Sequence, residues 1–283
     1  MVTLNLVHVE KSDIAYHIDT FPDGEKSLVI DSNINHKTDC VNLITRLSSM
    51  DNIFVMLQAA DILNRHGVVF DLYISYLMSM RMDRVMDFNR SFSLRVVSNM
   101  IKNCGARNKY VLEPHSERTL EELDAKQWVT DFDCLRDSTI KFRVDSANNL
   151  GVIFPDAGAK KRYAISSNNV VCFTKKRDLS TGTGKILEIA PETEYDFNEL
   201  AYSNDFLLID DLCDGGGTFI GVANKVREIN KNAKLSILVT HLVNDRGLEN
   251  LSNNFDEVFI SNSYKDWNLV ENRHQNVKVF GVI

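Results

Sequence analysis

Phe206-Leu207-Leu208-Ile209-Asp210-Asp211-Leu212-Cys213-Asp214-Gly215-Gly216-Gly217-Thr218 is the stretch that decides how this chain is read. An apolar run ends in two carboxylates, a glycine turn follows, and Thr218 opens a segment of helical period that reaches Asn230. Three consecutive glycines let the backbone curl until several N–H groups point at one spot. The start of the following helix adds its partial positive charge. Together they predict a cradle for a phosphate group. Asp210 and Asp211 fall at the carboxyl end of the strand, where open α/β sheets bind ligands. Two carboxylates there suit a pair of sugar hydroxyls. The plainer alternative is a tight turn whose aspartates cap the helix, and the acid pair before the glycines with Thr218 after them argues against it.

Outward from this stretch, short apolar runs alternate with longer segments of helical period, which predicts an α/β fold. Thr3 to Val9, Ser27 to Ile30, Val68 to Ile74 and Lys109 to Leu112 read as strands in the first half. A helix is expected from Asp51 as N-cap to Gly67, with Ile53, Phe54, Leu57, Ala60 and Leu63 as its apolar stripe, and another from Ser91 to Cys104. In the second half, strands are expected at Gly151 to Phe154, Val170 to Phe173, Asp205 to Ile209, Leu235 to Thr240 and Glu257 to Ile260. Helices are expected from Thr218 to Asn230 and Gly247 to Asn253. The polar stretch from Glu121 to Asp145 shows no core strand and reads as the inter-domain region. Two tandem α/β domains, 1–140 and 141–283, follow.

Two other glycine patterns carry no nucleotide signal. Gly215, Gly217 and Ile220 lack the third glycine of a dinucleotide fingerprint, and Leu179 and Ile186 break a P-loop around Gly182 to Lys185. The 283 residues carry a net charge of −7, which argues against nucleic acid as a partner. Cys40, Cys104, Cys134, Cys172 and Cys213 are widely spaced and include no CxxC, so reduced thiols in a cytoplasmic protein are expected. The N-terminus has charges where a signal peptide needs an apolar core, and no apolar run reaches the length of a membrane span. From Ala159 to Lys185, Lys160, Lys161, Arg162, Lys175, Lys176, Arg177 and Lys185 face one acid, Asp178. Such a local basic cluster in an acidic chain suits a polyanionic substrate.

A strand, acid pair and loop like Phe206 to Thr218 occur in type I phosphoribosyltransferases and in ribose-phosphate pyrophosphokinases. Other segments, in order along the chain, resemble the second family. Phe21-Pro22-Asp23-Gly24-Glu25 resembles its Phe-(Ser/Asn)-Asp-Gly-Glu loop, and Arg81-Met82-Asp83-Arg84 its Arg-Gln-Asp-Arg segment. Glu113-Pro114-His115-Ser116-Glu117 resembles Asp-Leu-His-Ala-Glu, and Phe154-Pro155-Asp156-Ala157-Gly158 resembles Ser-Pro-Asp-Ala/Ile-Gly. Thr174-Lys175-Lys176-Arg177 resembles the mobile loop Asp-Lys-Arg-Arg, and Thr240-His241 a Thr-His pair at a later strand end. A phosphoribosyltransferase does not account for Phe21 to Glu25 or for Lys175 to Arg177. A catalytically silent associated subunit would have lost the loop cations, which are present.

The resemblance implies two phosphoribosyltransferase-like domains, each a mostly parallel sheet flanked by helices. It implies transfer of diphosphate from ATP to the 1-hydroxyl of ribose 5-phosphate, with Mg as cofactor near His115 and Asp156. Phe21, Asp23, Glu25, Arg81, Asp83 and His115 would bind ATP, the first three from a neighbouring subunit, so a homodimer or larger assembly is implied. Lys175, Arg177 and Asp211 would be catalytic, with Ser180 to Gly184 as a hinge. Asp210, Asp211, Asp214, Gly215, Gly216, Gly217 and Thr218 would hold the ribose phosphate. Met82 replaces the family's Gln, and Val85 to Ser91 lacks the basic pattern of regulated members. The sequence stops at Ile283 without the family's final helix, which bears on hexameric packing. Gly215 replaces a Thr, removing a hydroxyl and opening room beside the 5-phosphate. Phage-encoded relatives, acting in the host cytoplasm, take ADP-ribose instead and make ADP-ribose pyrophosphate for NAD resynthesis, so both acceptors are carried forward.

Overall fold

Parallel strands require long crossovers, and the alternation of apolar and helical segments supplies them. A computed structural model describes residues 2–31, 40–145, 150–164, 169–177, 186–267 and 270–283. Two compact units result, residues 1–130 with Ile283 and residues 131–282.

The first unit contains β1 (Val2–Asn5), β2 (Tyr16–Thr20), β3 (Lys26–Ile30), β4 (Val41–Leu47), α1 (Met50–Arg65), β5 (Phe70–Leu77), α2 (Ser93–Ile101), β6 (Asn108–Leu112), α3 (Glu117–Leu123) and β7 (Lys126–Trp128). Its sheet is parallel throughout, in the order β1-β4-β5-β6-β7. β2 and β3 form a separate antiparallel hairpin, so the strand read at Ser27 to Ile30 lies outside the main sheet. Gln58 on α1 ties that hairpin down, accepting from the Leu28 amide and donating to the Lys26 carbonyl. Ser49, rather than Asp51, caps α1 through the Asn52 amide. Gly67 ends that helix in the left-handed region, at φ +65°. Phe54 is exposed, and Met56 and Ala59 take its expected place in the core.

The second unit contains α4 (Asp131–Asp145), β8 (Leu150–Phe154), α5 (Ala157–Tyr163), β9 (Val170–Arg177), β10 (Ile186–Pro191), α6 (Glu194–Tyr202), β11 (Asp205–Cys213), α7 (Gly217–Ile229), β12 (Lys234–Leu242), α8 (Asp245–Asn254), β13 (Glu257–Ser261), α9 (Val270–Arg273) and β14 (Val277–Phe280). The sheet order is β10-β9-β8-β11-β12-β13-β14, parallel except for β10 against β9. The expected division at 140/141 falls inside α4. That helix belongs to the second unit because its buried Phe132 packs against Phe280 in a tilted ring pair and its buried Arg136 covers Tyr163.

Strand order in the second unit reverses at β8. The chain runs from β8 to β9 on one side and returns to β11 on the other. A crevice opens at the carboxyl ends of the two strands at such a switch point. β11 is central, so Phe206, Leu208 and Ile209 are fully buried with Val222, Val226, Ile237, Val239 and Leu251 around them. An apolar strand held that firmly fixes the register of the acids that end it. No helix among the described residues is long and apolar enough to cross a membrane.

Candidate active site

The switch point gathers three of the expected carboxylates. Asp156 follows β8 and caps α5, its Oδ1 accepting from the Ala159 amide at 3.0 Å. Asp210 and Asp211 end the apolar part of β11. Arg162, on α5, bridges them: its Nη1 donates to Asp210 Oδ1 at 3.0 Å and to Asp211 Oδ1 at 2.7 Å. The Asp211 side chain is 2% exposed and that of Asp210 16%. Burial and the neighbouring Asp211 carboxylate push Asp210 well above the usual carboxylate range, with Asp156 adding to the effect and Arg162 opposing it. One cation thus serves a crowded acidic pair. The sequence placed Arg162 only within a basic cluster; its partners are set by the packing of α5 on β11.

Beyond Asp211 the chain turns into α7. Gly216 is its N-cap, in the left-handed region at φ +78°, and no side chain caps the helix. The first turn holds no acidic residue. Its N–H groups therefore face outward as a ready anion site. Side chains built on Gly215 or Gly217 would meet nothing within 4 Å, so the space around the loop is open.

Helix α8 supports the loop from behind, and here the sequence reading missed three residues. Asn250 Nδ2 donates to the Gly215 carbonyl at 2.7 Å, and Asn244 Nδ2 donates to Asp214 Oδ1 at 3.2 Å. Gly247 lies so close that a Cβ on it would stand 1.9 Å from the Asp214 carbonyl oxygen. The only sequence signal for this was Gly247 at the start of the expected helix, which the structure places inside α8.

Thr240 and His241 lie near the end of β12, with His241 opposite Leu212 in the register. Both are fully buried. The Ser263 hydroxyl donates to the Thr240 carbonyl at 2.8 Å, so its 2.9 Å contact with His241 has Nδ1–H as donor. This fixes the histidine tautomer.

Lys175 and Arg177 lie on β9, paired in backbone with Ile189 and Ile186 of β10. Their side chains, and the expected hinge from Ser180 to Gly184, lie outside the described residues.

In the first unit, Asp83 joins two of the expected segments. Its carboxylate accepts from Arg84 Nε at 2.9 Å and from the Ser116 hydroxyl at 2.8 Å. Burial opposes the charge, but these two bonds and the nearby Arg84 and His115 charges hold the carboxyl below its ordinary value. Arg81 to Arg84 and His115 to Ser116 are thereby brought together at the carboxyl ends of β5 and β6. Ser79 and Glu113, at those same ends, have φ of +69° and +35°. Non-glycine residues held in this region concentrate at functional sites. Phe21, Asp23 and Glu25 sit apart, at the tip of the β2–β3 hairpin. The Phe21 amide donates to the Glu25 carbonyl there, and Gly24 takes φ +94°. Gly24 and Glu25 border a cavity of about 280 Å³ with Met50, Asp51, Phe54 and Met100. Among the described residues no three His, Cys, Asp or Glu side chains converge as a metal cage.

No family model matches the chain. Among curated proteins it is 27% identical over 252 residues to the ribose-phosphate pyrophosphokinase of Ureaplasma parvum, covering 84% of this chain and 70% of that protein. It is 24% identical over 272 residues to the ribose-phosphate pyrophosphokinase of Mycoplasma genitalium, covering 93% of this chain and 78% of that protein. Its fold matches the crystal structure of phosphoribosylpyrophosphate synthetase from Mycobacterium smegmatis with a TM-score of 0.77 at 17% identity, over 100% of this chain and 94% of that one.

Proposed function

The chain is a divergent member of the ribose-phosphate pyrophosphokinase family, and from that premise we propose that it transfers diphosphate from ATP to the 1-hydroxyl of a ribose 5-phosphate unit. The observation that carries the reading is the switch-point cradle. A buried and a half-buried carboxylate, bridged by Arg162, stand beside an uncapped, glycine-lined helix start. Asp210 and Asp211 accept from the ribose hydroxyls and fix the sugar. The α7 amides, with Asp214, Gly215, Gly216, Gly217 and Thr218, hold the 5-phosphate. The 1-hydroxyl oxygen bonds to the β-phosphorus of ATP and gives up its proton to solvent, the bond from the β-phosphorus to the bridging α-phosphate oxygen breaks, and AMP leaves with that oxygen.

Such transfers rest on positioning and charge neutralisation. Lys175 and Arg177 supply positive charge to the transferring group. Arg81, Asp83 and His115 bind ATP, and Phe21, Asp23 and Glu25 reach it from a neighbouring subunit. Asp156 offers Mg a hard carboxylate oxygen, with most coordination left to phosphates and water. Asp156 and His115 would hold that ion, which supplies charge neutralisation when bound. The five cysteines, all free, support a cytoplasmic enzyme.

A second acceptor is favoured by one observation. Gly215 is outside the left-handed region and its missing side chain leaves open space, so a 5-phosphate continuing into the diphosphate of ADP-ribose has room to leave the cradle. The test is product analysis with Mg-ATP and either acceptor. Gly215→Thr, which the backbone and space accommodate, should shift kcat/KM toward ribose 5-phosphate by about tenfold. An unchanged ratio would remove the argument from Gly215.

A further inference from the structure

Helix α8 carries a cation that none of the motifs above includes. Arg246 lies in its first turn and is exposed. Among the described residues it forms no ion pair. Its chain neighbour Asp245 is instead engaged by Lys265 Nζ at 2.5 Å, and that ammonium also sits 4.3 Å from the Trp267 ring. Glu249 is exposed one turn further on.

The position of Arg246 relative to the cradle follows from helix geometry. Residues four apart share a face, so Arg246 is beside Asn250, whose amide holds the Gly215 carbonyl at 2.7 Å. Gly247 next to it presses on the Asp214 carbonyl, and the cap residue Asn244 bonds the Asp214 carboxylate. Both flanks of Arg246 are therefore anchored to the loop. A Cβ on Gly215 would meet nothing within 4 Å, so the loop leaves the space beside it open. Helix packing thus puts Arg246, exposed and without an acid partner among the described residues, one turn from the residue that holds Gly215, where the loop gives up a side chain.

We propose that Arg246 is an acceptor-specificity residue, its guanidinium contacting non-bridging phosphate oxygens that the backbone cradle leaves unmet. A planar fork of N–H donors suits that geometry. The shared chemistry is a phosphate oxygen at the 5-end of the acceptor, from a terminal monoester or from a diphosphate link. The proposal rests on the ribose-phosphate reading of the same loop and adds a residue from a different helix.

Arg246→Gln and Arg246→Lys are to be compared with the wild type by steady-state AMP release, with ribose 5-phosphate in one arm and ADP-ribose in the other. Calorimetric titration of each acceptor accompanies them. The expected result for Arg246→Gln is an acceptor KM raised about tenfold or more, with kcat and the KM for ATP within about threefold of wild type. Arg246→Lys should fall between. A loss confined to ADP-ribose identifies the diphosphate link as the contact, and a loss with ribose 5-phosphate identifies the terminal phosphate. Unchanged acceptor KM and Kd in a variant with wild-type Tm overturns the proposal while leaving the function standing. If the wild type releases no AMP with either acceptor, the function fails. The titrations then decide on Arg246 alone: weakened acceptor binding in Arg246→Gln supports it, and equal or absent binding refutes it.

Discussion

Asp210 shows how the site trades stability for chemistry. Burial and the Asp211 carboxylate raise its pKa despite Arg162. A carboxyl raised in the folded state favours folding while it is protonated. That contribution is fully present below the unfolded pKa and is lost as pH rises through the folded pKa. Asp210 therefore costs stability at pH values above the unfolded carboxyl pKa. Asp210→Asn is expected to raise Tm by about 2 °C or more near pH 7.5, and the gap to wild type should close toward about pH 4. Turnover should fall by about a hundredfold, since an amide cannot accept from hydroxyls as a carboxylate does. Melting curves across pH check the first part, and a variant less stable than wild type at every pH would show that Arg162 dominates the pair. The acids themselves were legible in the sequence, because an apolar strand ending in Asp-Asp and three glycines has few other uses. Arg162 was not, because only the packing of α5 against β11 selects it from Lys160, Lys161 and Arg162.

At the scale of elements, α8 acts as the backing of the cradle. Gly247 is the contact point, and a methyl group there would enter the Asp214 carbonyl. Gly247→Ala should push α8 and the loop apart, lowering kcat/KM for the acceptor by about tenfold or more while the KM for ATP stays nearly constant. Kinetics with each substrate varied in turn measure this, and equal losses for both would mean a global rather than local disturbance. The contact was invisible in the sequence, since a helical glycine does not name its partner. β4 was missed for a different reason. Val41, Leu43, Thr45 and Leu47 are buried while Asn42, Ile44 and Arg46 are half-buried, so no apolar run marks it. β10 escaped as an edge strand whose pairing with β9 is broken by a register shift. β11, buried on both faces, announced itself as a continuous run.

At the scale of the whole molecule, each unit carries part of the proposed chemistry: the nucleotide segments in the first, the ribose-phosphate cradle in the second. The β2–β3 hairpin presents Phe21 half-exposed at its tip, as a loop serving a neighbouring subunit would. If it does, Asp23→Ala and Lys175→Ala enzymes, each below about 1% of wild-type turnover, should regain activity when mixed, because some interfaces combine two intact halves. No recovery after subunit exchange would place both residues in the same chain's site. The measurement that tests the central claim most directly is product analysis with Mg-ATP plus ribose 5-phosphate or ADP-ribose, following the phosphorus signals of nucleotide and acceptor together. The account predicts AMP and an acceptor carrying a diphosphate on its 1-oxygen, in equal amounts, with no AMP when the acceptor is left out. ADP with a singly phosphorylated acceptor, or no AMP with either acceptor, would contradict it.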